Sequence, residues 1–438
     1  MNEELRRKLE PDGKPKRILA LDGGGARGLL TLGLLGKLEA ELARRSPGGP
    51  NKFRLSQYFD LIGGTSTGSI IAVTLALGWP VRDIVDLYFK LLPAIFARPQ
   101  APGPLRIFVP GFKNTALTHA LNDHLGDRML NSDELKTGLA IHAKRIDSGS
   151  AWILVNNPKW KYFNSQADRH SVPNAEFYLR DLVQASAAAP TYFNDVRIGL
   201  ERKKNGRIGS YGYFFDGGVS PNNNPALQLL LTATDPAFGF NWAVGEHNLL
   251  VWSLGTGYVR KRFEKNNPRH RSSAKTIDDF RHLMYSSKVQ AALEGYNHDI
   301  GQQQITVLQT LSRPRFPWWV NGEIGDQTAT PLLSAGAASL TYQRYDARIE
   351  IGEPDELRPE HIENLLGEQM KKAVVDRLRE MDINDPALLD ILYRTGEALA
   401  QARLITRDGE RAPAIAPDWP PAHFDPEAWR AAPPPPSS

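Results

Sequence analysis

The sequence predicts an α/β protein with a mostly parallel central sheet covered by helices and a helical C-terminal extension. Three observations carry that expectation. Short apolar runs recur through the first half, each ending in a glycine-containing turn. Apolar residues at helical spacing follow those turns. The polar residues with chemical potential sit in the turns themselves. Alternating strand, turn and helix gives a parallel sheet flanked by helices, and such sheets gather their sites where strands end.

In chain order, Arg17–Leu21 reads as a buried strand, followed by a glycine-rich turn and a helix over Leu29–Leu42 with leucines at helical spacing. Tyr58–Ile62 reads as a second strand, ending in Gly63 and Gly64, and Ser69–Leu77 as the helix after it. Val81–Leu92 is an amphipathic helix that Pro93 is expected to stop, because proline has no N–H and crowds the preceding turn. Pro99–Pro104 marks a break and Thr115–Leu125 a helix. Leu139–Ile146 and Trp152–Asn156 read as strands, and Ala175–Ala188 as a helix ending before Pro190. Two further strands end in small turns, Tyr211–Phe215 in Asp216-Gly217-Gly218 and Leu249–Leu254 in Gly255-Thr256-Gly257. Beyond residue 258 the character shifts. A basic run extends from Arg260 to Arg271, Pro314–Trp319 is rich in proline and aromatics, and Pro359–Met381 and Pro386–Arg403 read as helices. From Pro413 prolines dominate a tail without expected fixed structure.

Composition narrows the function classes. With 41% hydrophobic residues in 438, a sizeable core is feasible. Cysteine is absent, which excludes disulfides, thiolate metal sites and cysteine nucleophiles and fits a reducing compartment. A net charge of +4 permits attraction to anionic surfaces or phosphates, and no basic stripe interleaved with aromatics points to nucleic acid. Glu3 and Glu4 come early and no apolar stretch follows Arg6–Lys8, which argues against a signal peptide. No stretch approaches the ~20 apolar residues that span a bilayer. The expectation is a soluble, cytoplasmic protein whose membrane contact is peripheral.

Three motifs carry the chemistry. Gly64-Thr65-Ser66-Thr67-Gly68 is a G-x-S-x-G elbow between an apolar strand and an apolar helix. Small residues on either side permit a sharp turn that exposes the serine hydroxyl, and the helix N-terminus adds partial positive charge near developing anions. Asp22-Gly23-Gly24-Gly25-Ala26-Arg27-Gly28 also joins a strand to a helix, and its glycines expose consecutive N–H groups suited to an oxyanion or a phosphate. It matches the dinucleotide fingerprint, but the next strand ends in the serine elbow and offers no carboxylate for a ribose. No Gly-Lys-Ser/Thr closes it as a Walker loop. An oxyanion hole is the better assignment, beside the plain alternative of a close-packing turn. Asp216-Gly217-Gly218 puts a carboxylate at a strand end, where it can take the Ser66 proton. None of the ten histidines (119, 124, 142, 170, 247, 270, 282, 298, 361 and 423) sits in such a turn, although His247, His282 and His298 follow Asp216 in the order a Ser-Asp-His triad needs.

Taken together, the glycine loop Asp22–Gly28, the elbow Gly64–Gly68 and Asp216-Gly217-Gly218 resemble the patatin-like phospholipases, as do Ala185–Phe193 and Ser253–Gly257. The resemblance covers residues 16 to 260 and thins beyond them to Leu340–Tyr345. It implies a three-layer α/β/α fold and a Ser-Asp dyad. Ser66 is then the nucleophile and Asp216 the proton acceptor. Gly23, Gly24, Gly25, Ala26, Arg27 and Gly28 form the oxyanion loop, Gly64, Thr65, Thr67 and Gly68 the elbow, and Gly217 and Gly218 the turn behind the carboxylate. The implied activity is phospholipase A-type acyl hydrolysis through an acyl-enzyme, without metal or other cofactor.

The expected organisation is an N-terminal arm (1–15), a catalytic domain (16–260), a helical region packing on or completing it (261–410) and a flexible tail (411–438). Two alternatives stand beside the leading one. One is a phospholipase effector of bacterial antiphage defence, switched on by a cyclic nucleotide and oligomerising when active, with the basic run Arg260–Arg271 compatible with a phosphate-bearing activator. The other is a non-catalytic lipid- or nucleotide-binding protein. Leu91, Leu92, Ile95 and Phe96, or Phe316, Trp318 and Trp319, are candidates for meeting a membrane surface.

Overall fold

The structure is a computed structural model that describes residues 1–46, 49, 51–97, 112, 115–164, 170–190, 192–258, 285–312, 336–351, 359–403 and 424. The break at 99–104, the basic run 260–271, the segment 314–319 with its three aromatics, His270, His282, His423 and, apart from Phe424, the tail from 413 lie outside the described residues.

The elements in chain order begin with α1 (Glu3–Leu9), β1 (Lys16–Leu21), α2 (Gly28–Arg45), α3 (Leu55–Tyr58), β2 (Leu61–Thr65), α4 (Thr67–Ala76), α5 (Val81–Ile95) and α6 (Thr115–Leu125). There follow β3 (Gly138–Arg145), β4 (Ala151–Val155), α7 (Leu179–Ser186), β5 (Val196–Arg202), β6 (Ile208–Asp216), α8 (Ala226–Thr234) and β7 (Leu249–Leu254). The last are α9 (Tyr285–Thr310), β8 (Thr341–Tyr345), α10 (Ile362–Leu366), α11 (Lys372–Leu378) and α12 (Pro386–Arg403). Five strands run parallel side by side in the order β8-β7-β1-β2-β3. Helices flank the sheet, with α4 against β2 and β3, α7 against β3, and α8 against β1 and β7. Strands covered on both faces read as continuous apolar runs, and β1, β2, β7 and β8 are buried along their whole length.

The sheet forks at β3. One edge of β3 carries β4, antiparallel, along residues 140–144. The other edge carries β2 along residues 138–142 and then, where β2 ends, β6 along residues 143–145. Thr65 therefore faces His142, and Asp216 faces the next residue, Ala143. β2 arrives from one direction and β6 from the other, so their ends meet.

Several elements differ from the sequence expectation. α5 runs on to Ile95 with Pro93 in its last turn, where one lost N–H breaks a single bond and the helix is already ending. Leu91, Leu92, Ile95 and Phe96 are buried and packed in the core. The segment read as one helix over Ala175–Ala188 is a single 3-10 turn at Asn174–Glu176 and then α7. The segment Pro359–Met381 is divided into α10 and α11. α1 docks on the sheet through Leu5 and Leu9. The region after 260 contributes a strand, β8, as well as helices, and α12 packs along α2. Among the described residues no helix is long and apolar enough to cross a membrane.

Candidate active site

Ser66 occupies the corner between β2 and α4 with φ 55° and ψ −126°. A non-glycine residue there is strained by about 1–3 kcal/mol and is held only when its surroundings leave no alternative. The surroundings are close. A Cβ on Gly64 would lie 2.0 Å from the Gly68 carbonyl oxygen, and one on Gly68 would lie 2.3 Å from that of Leu21. The Ser66 carbonyl accepts from the Ser69 N–H (2.9 Å) and the Ser69 hydroxyl (2.6 Å). The Ser66 N–H donates to Ser186 Oγ at 2.9 Å, and the Ser186 hydroxyl donates to the His142 carbonyl at 2.6 Å. α7 thus pins the corner from a distant part of the chain.

The fork brings Asp216 to this corner. The Ser66 side chain lies near enough to favour the ionised carboxylate, and the Gly218 N–H donates to Asp216 Oδ1 at 2.6 Å. Burial pushes the Asp216 carboxyl up to about 6, against the opposing pull of Ser66 and the Gly218 N–H. Such a carboxylate is ionised at neutral pH and close enough to its own pKa to take up and return a proton.

Among the described residues no histidine reaches the Ser66 hydroxyl or the Asp216 carboxylate. His142 lies beneath the elbow with Nδ1 3.3 Å from the Gly64 carbonyl, and burial pulls it down to about 4, so it is neutral. His247 is exposed beside Glu246, and His298 packs its ring 5.4 Å from Tyr258.

The glycine loop lies directly against Ser66, since a Cβ on Gly23 would be 3.2 Å from Ser66 Cβ. Most of its N–H groups are occupied. Gly23 donates to the Asn223 carbonyl (3.1 Å), Ala26 to that of Met381 (2.8 Å), Arg27 to that of Gly24 (3.2 Å), and Gly28 to the carbonyls of its own turn. Among the described residues only Gly24 and Gly25 of the six keep N–H groups without a partner. Two adjacent free donors next to a serine can stabilise an anion formed on a carbonyl oxygen.

Sequence reasoning missed the supports. Ser186 and Thr256 lie in segments quoted only as linking pieces. Ser186 holds the elbow, and the Thr256 hydroxyl donates to the Gly23 carbonyl at 2.9 Å. Arg344, on β8, grips Asp22 through both guanidinium nitrogens. Alanine-rich and strand segments carry no pattern that marks such a partner.

Residues 19–230 match the family model for patatin-like phospholipases. The chain is 30% identical to a cGAMP-activated phospholipase of Vibrio cholerae serotype O1, over 55% of this chain and 65% of that one. It is 29% identical to a cGAMP-activated phospholipase of Escherichia coli, over 56% and 63%. It is 28% identical to Patatin-15 of Solanum tuberosum, over 57% and 62%. The match spans less than two thirds of the length of each of these relatives.

Proposed function

This chain carries a patatin-like phospholipase domain over residues 19–230, and on that premise we propose that it is a lipid acyl hydrolase cleaving carboxylic esters of phospholipids through Ser66 and Asp216. The observation that carries the reading is a strained, buried serine at a strand-end corner beside a buried carboxylate, with two free N–H donors in the adjoining glycine loop.

In the first half-reaction Ser66 Oγ attacks the ester carbonyl carbon while its proton passes to Asp216. The carbonyl oxygen becomes an oxyanion facing the N–H groups of Gly24 and Gly25, next to the first turn of α4. Collapse breaks the ester C–O bond. Asp216 returns the proton to the departing lysophospholipid oxygen, leaving an acyl group on Ser66. Water then attacks the acyl-enzyme carbonyl while its proton passes to Asp216; collapse breaks the bond between Ser66 Oγ and the acyl carbon, Asp216 returns the proton to Ser66 Oγ, and the fatty acid leaves. The elbow strain pre-sets Ser66 for attack, so no rotation of the backbone is needed on the way to the transition state. Substrate is met at a lipid surface, with the protein bound peripherally.

The test is product analysis on vesicles of defined phospholipids. The wild-type chain should release fatty acid, and Ser66→Ala should abolish release. Wild-type release undiminished by Ser66→Ala would falsify the mechanism.

A second reading adds a switch, because two relatives bear the name cGAMP-activated phospholipase. On it, hydrolysis stays low until a cyclic nucleotide binds and the chain assembles. Activity measured with and without cGAMP and a panel of cyclic di- and trinucleotides decides this. Equal rates throughout leave a constitutive hydrolase.

A further inference from the structure

The glycine loop is held from a part of the chain that lies outside residues 19–230. Arg344 is the fourth of the five residues of β8, all of which are buried. Its Nη1 donates to Asp22 Oδ1 (3.0 Å) and Ser253 Oγ (2.7 Å), and its Nη2 to Asp22 Oδ2 (2.7 Å) and Asp346 Oδ2 (2.7 Å). Asp346 in turn accepts the N–H groups of Gly257 (2.8 Å) and Ala347 (3.0 Å) through Oδ1. Asp22 is the residue from which the glycine loop departs. Further along the loop, Met381 gives its carbonyl to Ala26, and the Arg27 side chain donates to the Arg379 carbonyl at 3.3 Å. The Met381 carbonyl oxygen sits where a side chain on Gly25 would begin, 2.5 Å from that Cβ position.

We propose that Arg344 is a positioning residue: held between Asp22 and Asp346, it fixes the direction in which the glycine loop leaves β1, and so aims the N–H groups of Gly24 and Gly25 at the reacting oxygen. This rests on the reading of Ser66 as nucleophile. Two physical points separate aiming from mere stability. A buried ion network is a poor stabiliser compared with apolar residues of the same volume, because its charges must be stripped of water. A guanidinium that meets a carboxylate with two parallel bonds fixes the carboxylate plane as well as its distance, which a lysine cannot do. The network therefore supplies orientation, and orientation matters at the one loop whose donors face the nucleophile. Small displacements of such donors carry large rate penalties.

The test uses the full chain and phospholipid vesicles, with kcat and KM measured for wild type, Arg344→Lys, Arg344→Met, and the double variant Asp22→Asn with Arg344→Met. Folding is followed by circular dichroism and Tm. Expected for Arg344→Met is a kcat lower by about 10- to 100-fold with KM within about threefold. Arg344→Lys should fall between the two, since it keeps the charge and loses the second parallel bond. The double variant removes one of the two carboxylates that Arg344→Met leaves without its guanidinium, so its Tm should recover in part while kcat stays low. If Arg344→Met does not fold, the lysine and double variants carry the comparison. A folded Arg344 variant with wild-type kcat, or a double variant in which kcat returns together with Tm, overturns the proposal. Hydrolysis that survives Ser66→Ala overturns instead the reading on which the proposal rests. Hydrolysis lost in Ser66→Ala but unchanged in Arg344→Met sinks the proposal alone.

Discussion

Two turns meet at the candidate site, and they are held in different ways. Both leave neighbouring parallel strands, β2 and β1, and both run into a helix. The elbow at Ser66 is held in part by its own neighbours, Gly68 against Gly64 and Ser69 on the Ser66 carbonyl. From further along the chain come Tyr88 on the Thr67 hydroxyl at 2.8 Å, the Asn222 carbonyl on the Thr65 hydroxyl, His142 beneath the Gly64 carbonyl and Ser186 on the Ser66 N–H. The glycine loop makes few local bonds and is held by Asn223, Thr256, Arg344 and Met381. On the proposed reading, the serine corner rests on both local and remote contacts, while the candidate donors at Gly24 and Gly25 depend almost wholly on remote segments. A loop that must leave N–H groups free for substrate cannot spend them on itself, so its restraint has to come from elsewhere.

The largest effect belongs to the serine elbow. Gly64→Ala puts a Cβ 2.0 Å from the Gly68 carbonyl oxygen, backbone that cannot step aside without undoing the elbow. Hydrolysis should fall below detection and stability by more than about 3 kcal/mol in chemical denaturation. A well-folded, active Gly64→Ala would break the claim that the elbow rests in part on its own neighbours. Next comes Asp216→Asn, with kcat expected to drop by about a thousandfold for want of a base. The same change should raise stability at alkaline pH. The folded carboxyl titrates at about 6 against an ordinary 3.8. The folded state therefore binds the proton more tightly, and the stability this contributes is complete below about pH 4 and lost as pH rises through 6. At pH 8 the asparagine variant should be the more stable by up to ~3 kcal/mol, a difference that closes below pH 4. In wild type, kcat should fall on the acid side with a midpoint near 6, and a flat profile from pH 5 to 8 would remove Asp216 as the base.

How much of this was legible in the sequence follows the same division. The elbow's Gly64, Ser66 and Gly68 are readable because strand, turn and helix succeed one another within a few residues. β1, β7 and α12 are readable because buried runs and helical spacing are local patterns. Asp216-Gly217-Gly218 acquires meaning only beside the other motifs, since its meeting with Ser66 depends on a fork in the sheet at β3 that no periodicity announces. β8 was invisible as a strand. Its Thr-Tyr-Gln-Arg-Tyr is polar by composition and wholly buried in fact, because Arg344 brings its own carboxylates. α5 passing through Pro93 shows a weak local rule yielding to a helix already anchored by Ile84, Tyr88 and Leu91.

Two smaller substitutions measure the division quantitatively. Ser186→Ala removes the acceptor of the Ser66 N–H and the donor to the His142 carbonyl, both buried. Leaving such groups unpaired costs about 1–3 kcal/mol, and a slackened elbow should lower kcat by about tenfold with little change in KM. Thr256→Val is nearly isosteric and takes only the hydroxyl from the Gly23 carbonyl. That carbonyl is one of several points at which the loop is held, the others being Asn223, Met381 and Arg344 through Asp22. Losing one of several distant restraints should cost about 1 kcal/mol in denaturation and lower kcat no more than about threefold. The order of the two is the informative result. Should Thr256→Val prove the more damaging to kcat, the loop hangs on a single contact, and the picture of a donor pair held jointly by remote segments gives way to one hinge at Gly23.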